Sequence, residues 1–179
     1  MKLKSSLLIL NIFLVQFAFA QNVTVQKARE MYFSMDEKGE KALTLYTLLN
    51  KTDIGDNAIL LAYKGASMAA SAGVVSGVKA KLEYFSNGKK MLESAVASKP
   101  LDAEIRFLRL ATQLNAPSFL GYTGDIDSDK NMVINTMNIV KANHPNAYLY
   151  QQICKFLLIH GELTAKEKPV VVKLTEKFK

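Results

Sequence analysis

Asp125, Asp127 and Asp129 alternate in the stretch Asp125-Ile126-Asp127-Ser128-Asp129. This is the spacing with which a loop converges carboxylate oxygens on a hard cation such as calcium. The rest of such a loop is missing. Lys130 occupies the position where a glycine makes the sharp turn, and Thr136 that of the closing bidentate glutamate. A lysine inside the loop would also oppose a cation. The same residues suit a helix start, with Asp127 or Ser128 as the cap and Asp129 favouring the positive end of the helix dipole. Capping is the expectation, and no metal site is expected.

Arg106, Arg109 and Gln113 recur at intervals of three and four, so they share one face of a helix. Two neighbouring guanidiniums repel unless an anion lies between them. That anion is either a carboxylate of this chain (Glu104, Glu93 or Asp102) or a ligand. In the second case the face is a polar groove for an acidic peptide or a terminal carboxylate. Tyr63 and Lys64 border it if the helix that carries them packs alongside. Arg106, Arg109, Gln113, Tyr63 and Lys64 are therefore the candidate partner-binding residues. A further stretch, Pro117-Ser118-Phe119-Leu120-Gly121-Tyr122, places aromatics on a loop, where exposure would suggest binding. The expectation is instead that Phe119, Leu120 and Tyr122 plug the core between two helices.

Enzyme templates return nothing. His144 and His160 are the only histidines and lack the spacing of a zinc site. There is no Gly-x-Ser-x-Gly elbow, phosphate loop or dinucleotide fingerprint. The acid pairs Asp36 with Glu37 and Asp102 with Glu104 sit among surface charges. A non-enzyme without cofactors is expected, binding a peptide or protein partner. The alternatives are a small-ligand or metal-binding protein or a hydrolase with an unfamiliar site.

The elements that position these residues read as helical nearly throughout. Ala28, Met31, Tyr32 and Met35 form one stripe, and Ala42, Leu45, Tyr46 and Leu49 form a second on a helix from about Glu37 to Asn50. A third helix, capped by Asp56, runs from Ala58 to about Ala72; it is apolar on most sides and predicted to be central. A short segment over Val78 to Phe85 leads to Asn87-Gly88, a turn signal, and another helix runs to Pro100. Helices follow over Leu101 to Leu114 and Lys130 to Lys141, then between Pro145 and Gly161, a proline-first, glycine-last pattern. Thr164 and Glu167 have capping-box spacing for a final helix. No strand is expected, and roughly seven to nine helices form antiparallel hairpins.

Residues 1–20 read as a secretory signal peptide: Lys2 and Lys4, an apolar stretch from Leu7 to Phe17, and a small-x-small junction at Ala18-Phe19-Ala20. Residues 21–179 then form one helical domain, periplasmic or secreted, with Gln21 rather than a lipid-bearing cysteine after the junction. Cys154 is the sole cysteine, so no internal disulfide can form, and it is expected to be buried and inert. The net charge of +7 falls to +5 without Lys2 and Lys4, and the lysines are scattered apart from a C-terminal group from Lys166 to Lys179. A solvated helix face is expected there, with no nucleic-acid role. The stretch Ala58 to Val78 carries one charge, Lys64, but is too rich in small residues to suggest a membrane span. A monomer is expected.

The segment Ala95-Val96-Ala97-Ser98-Lys99-Pro100 resembles the end of a tetratricopeptide repeat, with Leu92 where that family has an aromatic and Gly88 where it has a small residue. The preceding helix lacks the tryptophan, leucine and glycine of the family pattern, and Ala42 to Ala70 matches in helix length only. The chain is also similar to small exported helical proteins of Gram-negative bacteria. The resemblance implies a short tetratricopeptide-like solenoid or irregular bundle, with a concave surface for a peptide or protein.

Overall fold

The computed structural model describes residues 23–35 and 39–179. The signal-peptide pattern, Asp36 with Glu37 and the proposed start of the second helix lie outside them. Among the described residues there are eight α-helices and no strand: α1 (Val25–Phe33), α2 (Glu40–Asn50), α3 (Ala58–Ser71), α4 (Val78–Ser98), α5 (Ala103–Asn115), α6 (Ile126–Ile139), α7 (Ala147–His160) and α8 (Glu167–Lys177). A single 3₁₀ turn, Ser118–Leu120, follows α5. The protein is an all-α bundle.

The helix boundaries follow from local chemistry. Thr24 accepts a hydrogen bond from the Lys27 amide at the start of α1. Asn57, not Asp56, caps α3 by accepting from the Leu60 amide, because the helix begins one residue later than an Asp56 cap requires. Asp102 accepts from the amides of Glu104 and Ile105 to open α5. The capping box before α8 forms as the spacing predicts: the Thr164 amide donates to Glu167, and the Glu167 amide donates to the Thr164 hydroxyl. At the other end of α8, Lys177 Nζ donates to the carbonyls of Met137 and Asn138, neutralising the negative end of α6. At least one member of the basic C-terminal group is therefore a structural cap.

One apolar core draws on every helix, from Ala28 in α1 to Leu174 in α8. α3 lies at its centre, as its small-residue composition predicts, and α5 lies beside it, buried on nearly all sides. Cys154 is buried in this core, where desolvation pushes its thiol up to about 11 and keeps it protonated.

Asn87-Gly88 does not turn the chain. α4 runs unbroken from Val78 to Ser98, and Gly88 is there because α3 crosses at that point. A Cβ on Gly88 would sit 2.5 Å from the Gly65 carbonyl oxygen and 2.6 Å from the Ala69 amide nitrogen, and a Cβ on Gly65 would meet the Gly88 carbonyl at 2.7 Å. The two backbones touch, so the glycine serves packing rather than chain reversal. Helix propensity alone predicts that Gly88→Ala stabilises α4 by about 1 kcal/mol. The crossing predicts the opposite sign: a net loss of about 1–3 kcal/mol, since the obstruction is backbone and cannot rotate away. Urea unfolding of the variant decides between them.

Candidate functional site

α5 carries most of the candidate residues, and its burial dictates their behaviour. A charge taken out of water must be paired or hydrogen-bonded. Arg109, only 5% exposed, meets this condition with a fork of bonds to Asp129: Nε to Oδ2 at 2.7 Å and the second nitrogen to Oδ1 at 2.9 Å. Its remaining terminal nitrogen donates to Glu93 at 2.8 Å, and Asp125 lies 3.3 Å away. The side chain thus ties α4, α5 and the start of α6 together. The hydrogen bonds to Asp129 raise the pKa of Arg109 against the opposing effect of burial. Arg106 touches the same Asp129 carboxylate through Nε, without hydrogen-bond alignment, and donates to the Ser128 hydroxyl at 2.9 Å. Gln113 is buried, reaches Asp125 at 3.5 Å and leaves Oε1 without a partner among the described residues.

Tyr63 belongs to a second cluster. Its hydroxyl donates to Glu104 at 2.7 Å, and Glu104 also accepts two bonds at 2.7 Å from Arg29 of α1. Burial raises the Tyr63 pKa, with the Glu104 charge adding to it. Lys64, the next residue, is half-buried and makes no ion pair among the described residues. The five candidate residues therefore do not converge. Arg106, Arg109 and Gln113 face α4 and α6, while Tyr63 faces α1 and α5 in the core.

The arginine partners differ from those expected. Glu93 does serve Arg109, but Glu104 serves Arg29, and Asp102 caps its own helix. The main partner is Asp129, which is fully buried. Asp125 occupies the N-cap position of α6 without a side-chain cap bond, and neither Asp127 nor Ser128 caps. Lys130 is buried between Asp127 and Glu167, bridging α6 to the start of α8. Among the described residues no group of His, Cys, Asp and Glu is placed to hold a metal ion. His144 accepts a bond from the Asn146 amide at the start of α7, and the His160 ring lies tilted against Phe156 at its end.

The loop after α5 departs most from expectation. Tyr122 does plug the core: its ring meets Phe85 edge-on, its hydroxyl donates to Glu93 at 2.6 Å, and Lys89 lies over its ring. Phe119 does not. The residue is 79% exposed, presented by the 3₁₀ turn beside a cleft of about 740 Å³. Ala66, Ala69 and Ala70 of α3, Ala111 of α5, Phe33, Phe85 and Phe156 line it together with Tyr32, Lys81 and His160, and of these alanines only Ala70 is exposed. No sequence period reveals this cleft, because its lining comes from α1, α2, α3, α4, α5, α7 and the 3₁₀ turn. The one available signal was the run of small residues in α3, which leaves room on any face not filled by a neighbour.

Among the described residues no helix is long and apolar enough to cross a membrane. Family models, curated proteins and solved structures provide no match to this chain.

Arg109→Met leaves the buried Asp129 without its main partner and is expected to cost about 3–5 kcal/mol near neutral pH. Burial already holds the Asp129 carboxyl above its ordinary value, opposed by Arg109 and Arg106. Removing Arg109 shifts it further up. A carboxyl that binds its proton more readily when folded gains stability as pH falls. The stability gap between wild type and variant, measured by urea unfolding, should therefore be smaller at about pH 5 than at about pH 7. A gap independent of pH would refute the pairing.

Proposed function

We propose that this chain is an exported, non-enzymatic binding module that receives an apolar group of its partner in the cleft beside Phe119. The carrying observation is the exposed Phe119 ring at the mouth of an apolar cleft of about 740 Å³. Small-molecule sites and anchor pockets are concave, mostly apolar and of about 300–1,000 Å³, with few polar groups. A large aromatic left in water at such a rim is the kind of side chain that dominates binding energy when covered. The signal-peptide pattern of residues 1–20 supports an exported setting, and the tetratricopeptide resemblance implies a concave surface that does the binding.

A polar groove centred on Arg106, Arg109 and Gln113 has less support. The Arg109 guanidinium already meets three carboxylates of this chain, so an acidic ligand would have to displace Asp129 or Glu93. The cleft requires no such exchange.

The test is binding of the apolar fluorophore 1-anilinonaphthalene-8-sulfonate to the native protein, with Phe119→Ser and Ala70→Trp as variants. Both positions are exposed, so the fold should tolerate the changes, and an unchanged helical far-UV circular dichroism signal and urea midpoint check this. Saturable binding is expected, weakened about tenfold by Phe119→Ser, which corresponds to about 1.4 kcal/mol, and abolished when tryptophan fills the cleft. Dye binding indifferent to both variants would overturn the cleft as the binding surface.

A further inference from the structure

We infer that Tyr32 selects the occupant of the cleft: its hydroxyl donates to a neutral acceptor oxygen, such as a ketone or ester carbonyl, carried by a small apolar molecule. The inference rests on the cleft being the binding surface.

The first ground is a hydroxyl that burial leaves without a partner. Buried polar groups are hydrogen-bonded as a rule, and one that is not carries a desolvation penalty. Two tyrosines of the core follow this rule: Tyr63 donates to Glu104 at 2.7 Å, and Tyr122 donates to Glu93 at 2.6 Å. Among the described residues Tyr32 has no such partner. Burial alone raises the pKa of its hydroxyl, and neither a hydrogen bond nor a charge contributes. The unbonded side-chain atoms that are sealed from solvent are Arg106 Nε and Gln113 Oε1, and the Tyr32 oxygen is not one of them. It is therefore desolvated, unpaired and still within reach of a ligand atom.

Position is the second ground. Tyr32 lines the cleft. Its ring packs edge-on against Phe33 and Tyr63, with centroids 5.6 Å and 5.5 Å away. A donor held from two sides loses little freedom when a ligand arrives. The cleft volume of about 740 Å³ is that of a site enclosing a whole small molecule, with a few polar groups that fix its orientation.

The third ground is the chemistry of the hydroxyl. A raised pKa keeps it protonated, so it serves as a donor and its partner is an acceptor. A charged oxygen taken out of water needs a counter-charge as well. Arg29, the cation of the adjoining cluster, is committed to Glu104 by two bonds of 2.7 Å. A neutral oxygen requires only the hydrogen bond.

The test is displacement of the bound fluorophore by two pairs of similar shape, acetophenone with ethylbenzene and benzophenone with diphenylmethane. Each is measured on wild type and on Tyr32→Phe, with the affinity of the dye determined in both. Loss of the hydroxyl should weaken the two ketones about three- to tenfold, the range of one hydrogen bond, and leave the two hydrocarbons unchanged or tighter. Benzoate should bind more weakly than acetophenone. Without ligand, Tyr32→Phe should leave the urea midpoint unchanged or raised, since the hydroxyl has no partner to lose, whereas Tyr63→Phe should lower it. Equal effects on ketones and hydrocarbons, or benzoate binding as tightly as acetophenone, would overturn the inference. So would a lowered midpoint for Tyr32→Phe, which would place the hydroxyl in a bond within the protein. If the dye responds to Ala70→Trp but no ketone displaces it, the cleft remains the binding surface and the inference about its occupant falls. If the dye itself ignores Ala70→Trp, both readings fall together.

Discussion

The fork between Arg109 and Asp129 is the constraint on which the rest of this bundle depends. α5 is buried on nearly every side, yet it carries Glu104, Arg106, Arg109 and Gln113. Apolar packing can bring helices together with some latitude in rotation and register. A buried guanidinium cannot tolerate that latitude, because small displacements leave a charge without its partner. Arg109 therefore fixes α6 through Asp129 and α4 through Glu93, while Glu104 fixes α1 and α3 through Arg29 and Tyr63. Two charge clusters on the two sides of one helix set the positions of four others.

That constraint reaches the cleft through Glu93. One of its oxygens accepts from Arg109, and the other accepts from the Tyr122 hydroxyl. Tyr122 in turn packs edge-on against Phe85 and closes the segment that contains the 3₁₀ turn. With its end pinned, the turn directs Phe119 outward, and the exposed ring has a built support behind it. The alanine lining has a separate origin. Gly65 and Gly88 let α3 and α4 touch backbone to backbone, and the neighbouring alanines continue that small-residue surface past the crossing. Where α4 covers it, the small residues make a tight contact. Beyond that contact Ala70 is left exposed at the cleft.

Much of the architecture was legible in the residues. The helical periods of α2, α3 and α5, the Thr164–Glu167 capping box and the central place of α3 all follow from local pattern, because each depends on residues within one or two turns of each other. The misreadings share a cause. Asn87-Gly88 has the composition of a turn, but its glycine answers to Gly65, over twenty residues earlier in the chain. Asp129 has the composition of a helix-start acid, but its carboxylate answers to Arg109 on another helix. Phe119 and Tyr122 are near neighbours of similar type in one loop, and only Tyr122 finds Phe85 and Glu93.

The sequence by itself determined that this chain is helical, where most of its helices begin and end, and that its lone thiol belongs inside. These properties are decided by short-range hydrogen bonding, backbone sterics and the period of apolar side chains. Only the tertiary structure decided which charges pair, which glycine is a contact rather than a turn, and that an apolar cleft opens beside Phe119. Those outcomes depend on distances between helices remote in sequence, and no local period encodes them.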